Sequence, residues 1–252
     1  MTHIRRNKTL SLAALLAVVA ICGCSDPQGP PPQPVVTPVD SATAGEVAVT
    51  LTYTGEIPKP VEINMGSAGR CAEQHTEPVF DQPVQVVDGK LAGALVYIKS
   101  GLEGRAFTFP TEPVVINQRG CLYEPRISAL RVGQPLQFLN SDPEAHNVRG
   151  RPTTVDAWNF MMSRPRSTRT LFFDQPEIGI RVGCDVHPWM KAYVSILAHP
   201  YFGITTADGA VRLSNVPPGD YVIGTWHETL GVREQRISLP ASGSETVAIT
   251  YD

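Results

Sequence analysis

Cys184, His187 and Met190 fall within one short run, Cys184-Asp185-Val186-His187-Pro188-Trp189-Met190, and His146 stands upstream in Asp142-Pro143-Glu144-Ala145-His146-Asn147-Val148. A thiolate and a thioether are soft donors that Cu(I) prefers, while imidazoles suit Cu(II). The four together fit an ion that changes oxidation state with little rearrangement. Two His and one Cys in a trigonal set with a weak axial Met form the ligand set of a blue-copper site. One copper ion held by His146, Cys184, His187 and Met190 is therefore the expected cofactor. Zinc fits less well, because Met is a poor zinc ligand. A Cys184–His187 nucleophile pair would leave His146 and Met190 without roles. No Cys-x-x-Cys-His occurs, which removes covalent haem attachment. Met161 and Met162 are further thioethers, but no other His or Met surrounds them in sequence, and core packing is the expected role.

With these residues in place, the stretch 113–198 resembles the cupredoxins. Tyr123 and Pro125, the Val132-Gly133 turn, the strand Leu136-Gln137-Phe138-Leu139-Asn140 and the segment Asp142 to Val148 match that family's first half. The spacing Cys-x2-His-x2-Met is similar to the short ligand loop of amicyanin-like members. The resemblance implies that the backbone amide of Asn147 donates to the Cys184 sulfur, a contact that tunes potential. It also implies that His187 presents its ring edge to solvent and that electrons leave there. The long insert between His146 and Cys184 departs from the small members of the family.

The elements that must position these residues read as β-strands almost throughout. Segments 48–53, 83–87, 94–99, 112–116, 136–140, 170–173, 178–182, 192–198, 209–213, 221–225 and 246–251 are rich in β-branched and aromatic residues and bounded by Gly, Pro, Asn and Asp. No stretch carries an amphipathic helical period. An all-β chain follows, with a Greek-key cupredoxin-like β-sandwich, an extra N-terminal β region and a small C-terminal β-sandwich module. Breaks near Phe109-Pro110 and His199-Pro200 divide it into an N-terminal region, 45–112, expected to pack on the copper domain, the copper domain itself, 113–200, and a last module, 201–252. Within that module Ala207-Asp208-Gly209-Ala210-Val211-Arg212-Leu213 and Val216-Pro217-Pro218-Gly219-Asp220-Tyr221 resemble the carboxypeptidase regulatory-like, transthyretin-like β module. That likeness implies a packing or docking role and no peptidase chemistry.

Ahead of these strands, Arg5, Arg6 and Lys8 precede an apolar run from Leu10 to Ala20, too short to span a bilayer and ordered like an export signal. Ile21-Cys22-Gly23-Cys24 resembles a lipobox, which makes residues 1–24 a bacterial lipoprotein signal and Cys24 the lipidated residue. Residues 25–44 contain Pro27, Pro30, Pro31, Pro32, Pro34 and Pro38 and read as a polyproline tether. The expected location is the periplasmic side of the envelope, anchored to the outer membrane rather than the inner. In that oxidising compartment, Cys71 and Cys121 remain once Cys184 is committed to metal, and a disulfide between them is expected. Cys71 and His75 as half of a second metal site is the competing reading. His199, at the end of a strand, and His227, in Thr225-Trp226-His227-Glu228, are weak candidates for a second metal.

A net charge of −3 with scattered basic residues offers no stripe for phosphate backbones, so nucleic acid is not an expected partner. The expected role is an electron carrier between redox partner proteins, not an enzyme. A copper-binding or copper-delivery lipoprotein and a copper enzyme with an open coordination position are the alternatives.

Overall fold

The computed structural model describes residues 29–66 and 69–252. The export signal and the lipid-accepting Cys24 lie outside these residues. Strands β1 to β6 are Gly45–Tyr53, Val61–Glu62, Phe80–Asp81, Gln85–Val87, Lys90–Ala92 and Leu95–Ser100. Strands β7 to β13 are Val114–Arg119, Leu122–Glu124, Ile127–Arg131, Leu136–Asn140, His146–Arg151, Trp158–Met162 and Thr168–Leu171. Strands β14 to β20 are Glu177–Gly183, Lys191–Leu197, Phe202–Ile204, Ala210–Val216, Gly219–His227, Gly231–Leu239 and Ser244–Tyr251. A single 3-10 turn, Gly69–Gln74, interrupts the strands, and no α-helix occurs among the described residues. No described helix is long and apolar enough to cross a membrane. The chain is all-β, as its composition implied.

Four larger sheets make two sandwiches. In the first, β13-β10-β7-β8 faces β12-β11-β14-β15-β9. Ile116, Leu136, Phe138, Val148, Ile180, Val182, Val194 and Ile196 fill the space between them. Strand β10 shows why: in Leu136-Gln137-Phe138-Leu139-Asn140 every second side chain is buried, which turns Leu136 and Phe138 into the core and Asn140 into its end. In the second sandwich, β17-β1-β5-β4, with β20 parallel to β1, faces β16-β6-β18-β19. Val47, Val49 and Leu51 of β1 interdigitate there with Val247 and Ile249 of β20, and Ile98 and Ile223 close the core.

The partition of the N-terminal region differs from the expected one. Strands β1 and β6 pair with the C-terminal strands β17, β20, β16 and β18, so 45–100 and 201–252 build one sandwich jointly. Only the excursion between β2 and β3 packs on the first sandwich, through Ile63, Met65, Cys71 and Val79. Strand alternation names a buried face but not its partner, and neither half of this sandwich has enough apolar surface to close alone.

The proline-rich segment also departs from a free tether. Gln33 exchanges two hydrogen bonds with the backbone of Phe109, Nε2 to O at 2.9 Å and N to Oε1 at 3.1 Å. Thr37 does the same with Ala106, N to O at 2.8 Å and N to Oγ1 at 3.0 Å. Val39 packs on the second core. An extended polyproline backbone leaves its remaining amide and carbonyl groups unpaired within the segment, so they are available to a neighbouring irregular stretch.

The two sandwiches meet on Leu95, Tyr97 and Leu197, with Ala129, Ile178, Phe202, Ile204 and Trp226 around them. Strand β6 is buried on both faces, Val96 and Ile98 toward its own core and Leu95 and Tyr97 toward the junction. The Trp226 ring lies 5.5 Å from that of Tyr193 and against Gly179 (φ 71°), where a Cβ would come within 2.6 Å of the indole. Arg126 joins Glu228 of the second sandwich to Asp81, which Lys191 also contacts at 2.6 Å.

Candidate metal centre

Cys184 and Met190 begin and end the connection between β14 and β15, and His146 is the first residue of the neighbouring β11. Antiparallel pairing of β11 with β14, Arg149 opposite Gly183, brings the two strand ends together. Tyr123 fixes them in place: its hydroxyl donates to the carbonyls of Asn147 (2.7 Å) and Gly183 (3.2 Å). The loop itself is closed by the Met190 amide donating to the His187 carbonyl at 2.9 Å.

All four side chains are buried, His146 at 0%, Met190 at 1%, and Cys184 and His187 at 5% exposure. The ligating atoms of His146, Cys184 and His187 lie within 4.8 Å of one another. The Asn147 amide donates to the Cys184 sulfur at 3.3 Å, the contact the resemblance implied. Burial alone would raise the Cys184 thiol pKa, but His146 and the amides of Asn147, His187 and Val186 outweigh it and lower it. The thiolate, the form that binds metal, is thereby more accessible than in an ordinary thiol.

The two imidazoles are oriented by groups that can only accept. Asp142, 1% exposed, receives the amides of Gly120 (2.7 Å) and Cys121 (2.8 Å) and lies 2.8 Å from His146 Nε2. Burial raises the Asp142 pKa, but His146 and these two amides outweigh it and hold the group below its ordinary value. As a carboxylate it takes the Nε2 hydrogen of His146. On the other ring, Nε2 of His187 stands 3.4 Å from Cys71 Sγ, which is bonded to Cys121 and carries no hydrogen. The Nδ1 atoms of both rings face each other across 3.0 Å, a spacing that a shared proton or a metal ion beside them satisfies. Without metal a proton serves: burial lowers the His146 pKa, but Asp142 and the Cys184 sulfur overcome it and raise it to about 9. Burial and the nearby His146 charge lower that of His187.

The expected solvent-facing edge of His187 is not found. Cys71 and Cys121 form a disulfide (S–S 2.06 Å), and the 3-10 turn carrying Cys71 covers the ring. Its cover is secured by His75 Nε2 donating to the Gly120 carbonyl at 2.7 Å, and by Trp189, whose ring lies 5.1 Å from His187 and whose Nε1 donates to the Cys121 carbonyl at 3.0 Å. The covering segment lies more than a hundred residues away in sequence, and no local pattern around His187 announces it.

The other candidate residues stand apart from this cluster. His199 Nε2 donates to the Ile98 carbonyl at 2.8 Å, and its Nδ1 receives the Tyr201 amide at 3.2 Å. Both of its nitrogens are occupied. His227 Nδ1 receives the amides of Thr229 and Leu230, and the Tyr251 ring lies 6.5 Å from its own. Met161 is 55% exposed, whereas Met162 is buried in the core opposite His146. Asp142 and Asn140 are functional positions the sequence reading passed over. Asn140 Nδ2 donates to the Glu144 and Met162 carbonyls, and its Oδ1 receives the Asp142 amide, which shapes the loop leading to His146. An acidic residue four positions before the candidate His146 was the available signal for Asp142.

No protein-family model matches the chain, and no curated protein does either. Solved structures similar to it include the copper-containing nitrite reductase NirK from Thermus scotoductus SA-01, 17% identical over 40% of this chain and 25% of that one, with a TM-score of 0.31. A purple cupredoxin from Nitrosopumilus maritimus is 17% identical over 33% of this chain and 99% of its own, with a TM-score of 0.30. A reduced amicyanin variant is 21% identical over 40% of this chain and 98% of its own, with a TM-score of 0.31. The chain thus spans a quarter of the nitrite reductase.

Proposed function

We propose that this protein binds one copper ion in a type 1 (blue) site and carries single electrons between redox partner proteins on the periplasmic side of a bacterial envelope. The observation that carries the reading is the convergence of His146, Cys184 and His187 donor atoms within 4.8 Å of one another, beside a Cys184 sulfur that accepts the Asn147 amide. His146, Cys184 and His187 would hold the ion, and the Met190 thioether, buried in the same cluster, would be the weak axial donor. When bound, copper supplies reversible one-electron chemistry.

The chain's own part is to keep the donors still. Asp142 fixes the His146 ring, Tyr123 fixes the strand ends, and the disulfide-bearing turn excludes water from His187. Donors so held favour a carrier over a delivery protein, which must release its ion. Met190 argues against zinc. The Cys71–Cys121 disulfide suits an oxidising compartment, and the lipobox-like Ile21-Cys22-Gly23-Cys24 supports anchoring through Cys24, to the outer membrane.

The test is the visible and EPR spectrum of copper-loaded protein. We expect an intense thiolate-to-copper band with narrow copper hyperfine splitting, and complete loss of the band in Cys184→Ser, since a hydroxyl cannot replace the thiolate. Retention of the band in that variant would overturn the assignment.

A further inference from the structure

The way in which a partner reaches this site is not through His187. Its ring is 5% exposed, and Cys71 and Cys121 above it are fully buried. Cys184 and Met190 are as buried as that ring, at 5% and 1% exposure, but they lie directly beneath a groove of about 230 Å³ on the outer face of β11 and β14, with no disulfide over them. Arg149, Arg151 and Arg181 form its walls, and all three are exposed.

The charge of this groove is concentrated by the register. Arg151 stands directly opposite Arg181 across the β11/β14 pair. Like charges in that position disfavour the sheet, so packing gives no reason for the pair. Asp185 faces Arg149 at 3.4 Å, which offsets one of the three positive charges. Among the described residues neither Arg151 nor Arg181 has a carboxylate within ion-pair distance. Two uncompensated guanidinium groups thus rim a groove whose floor is metal donors, on a chain whose net charge is −3. A positive patch on a negative molecule orients an approaching acidic surface toward itself.

We propose that this groove is the docking surface for a redox protein with a carboxylate-rich face, and that the electron crosses at the Cys184 and Met190 side. The inference rests on the copper reading above. The transfer makes and breaks no bond: one electron passes between the reduced site and the oxidised partner, and the guanidinium groups only hold the two in register.

The test uses copper-loaded protein in stopped-flow oxidation of the reduced form, with hexacyanoferrate(III) as an anionic probe and tris(phenanthroline)cobalt(III) as a cationic one. We expect the anionic reaction to slow several-fold between about 0.05 M and about 0.5 M salt as screening tightens. In Arg151→Glu/Arg181→Glu it should slow about tenfold or more and lose that salt dependence, while the cationic reaction does not slow. Arg70→Glu, on the turn covering His187, should change either rate less than twofold. Unchanged rates in the double variant, or a larger effect from Arg70→Glu, would overturn the docking surface. So would a copper band shifted by azide in the parent but not in the double variant, which would make the groove a small-anion site. The copper band is read in every variant. Its absence from the parent protein defeats the copper reading and the docking surface together, whereas an intact band with insensitive rates defeats the docking surface alone.

Discussion

The two sandwiches are built from the same kind of strand but fill their cores differently. The second holds mainly aliphatic and Tyr side chains, and its buried Thr225 is satisfied by the Tyr251 hydroxyl at 2.7 Å. The first buries Asn140, Asp142, His146, Asn147 and His187 together at one end. Buried polar groups cost stability unless each finds a partner. That end is accordingly a dense network of short contacts running from Gly120 and Cys121 through Asp142 to His146. The second sandwich scatters its few buried polar groups, Thr205, Thr225 and His227, while the first gives up part of its apolar interior to gather His146, Cys184 and His187 at one end. The disulfide lies in the first sandwich.

Removing that disulfide should separate the two most strongly. The bridge closes a separation of 50 residues, and the chain-entropy model gives about 4 kcal/mol for a loop of that size. Cys71→Ser/Cys121→Ser should lower the melting temperature of the first sandwich and, by loosening the turn over His187, lower the protection of that ring's surroundings from exchange. Hydrogen exchange checks this: amides near Gly120, Cys121 and His187 should exchange faster while those of β1 and β20 stay as slow as before. Equal acceleration in both sandwiches would mean that they unfold as one unit.

Much of the strand content was readable from alternation. Leu136–Asn140 is the strand the pattern marks, and β14, β15 and β20 lie within two residues of their expected bounds. The short strands β2, β3, β5, β8 and β16 and the longer β9, β11, β12 and β19 have no counterpart among the expected segments. Strand β19 shows why: Arg233, Glu234, Gln235 and Arg236 stand exposed or half-exposed along an edge strand, so the apolar half of the alternation is weak. The gathering of His146, Cys184 and His187 was legible because their side chains are chemically distinctive and two of them sit in one loop. Two features were not. The pairing of β1 with β17 and β20 is a contact between chain ends, and the burial of His187 comes from Cys71, far away in sequence. Local patterning carries no information on either.

The next largest effect should come from the junction, where the comparison predicts coupling without involvement of the metal donors. Phe202 is only partly buried there, whereas Leu95 is at 0% exposure between the two sandwiches. Leu95→Ala should cost about 3 kcal/mol through lost packing and the cavity left behind. The copper spectrum should not change, because no donor or donor-holding residue touches Leu95. A shifted spectrum in that variant would show that the second sandwich shapes the site.

The smallest effect concerns pH and His199, which sits at the junction end of the first sandwich. Burial lowers its pKa to about 4, with the Ile98 carbonyl opposing and the neighbouring Arg131 charge adding to the shift. The ordinary value is 6.5. Between these two values the unfolded chain binds a proton that the folded chain refuses, so stability rises with pH across that window and is lost as pH falls from about 6.5 toward about 4. The full shift corresponds to about 3 kcal/mol, and the ring's partial exposure reduces this to about 2 kcal/mol. Other groups titrate over the same range, so the difference between parent and His199→Gln isolates the contribution. Gln can still donate to the Ile98 carbonyl but takes up no proton. Urea unfolding at several pH values should therefore show the parent losing about 2 kcal/mol relative to the variant between pH of about 7 and about 4. Parallel curves would mean that the His199 ring opens to water and accepts a proton without disturbing the junction.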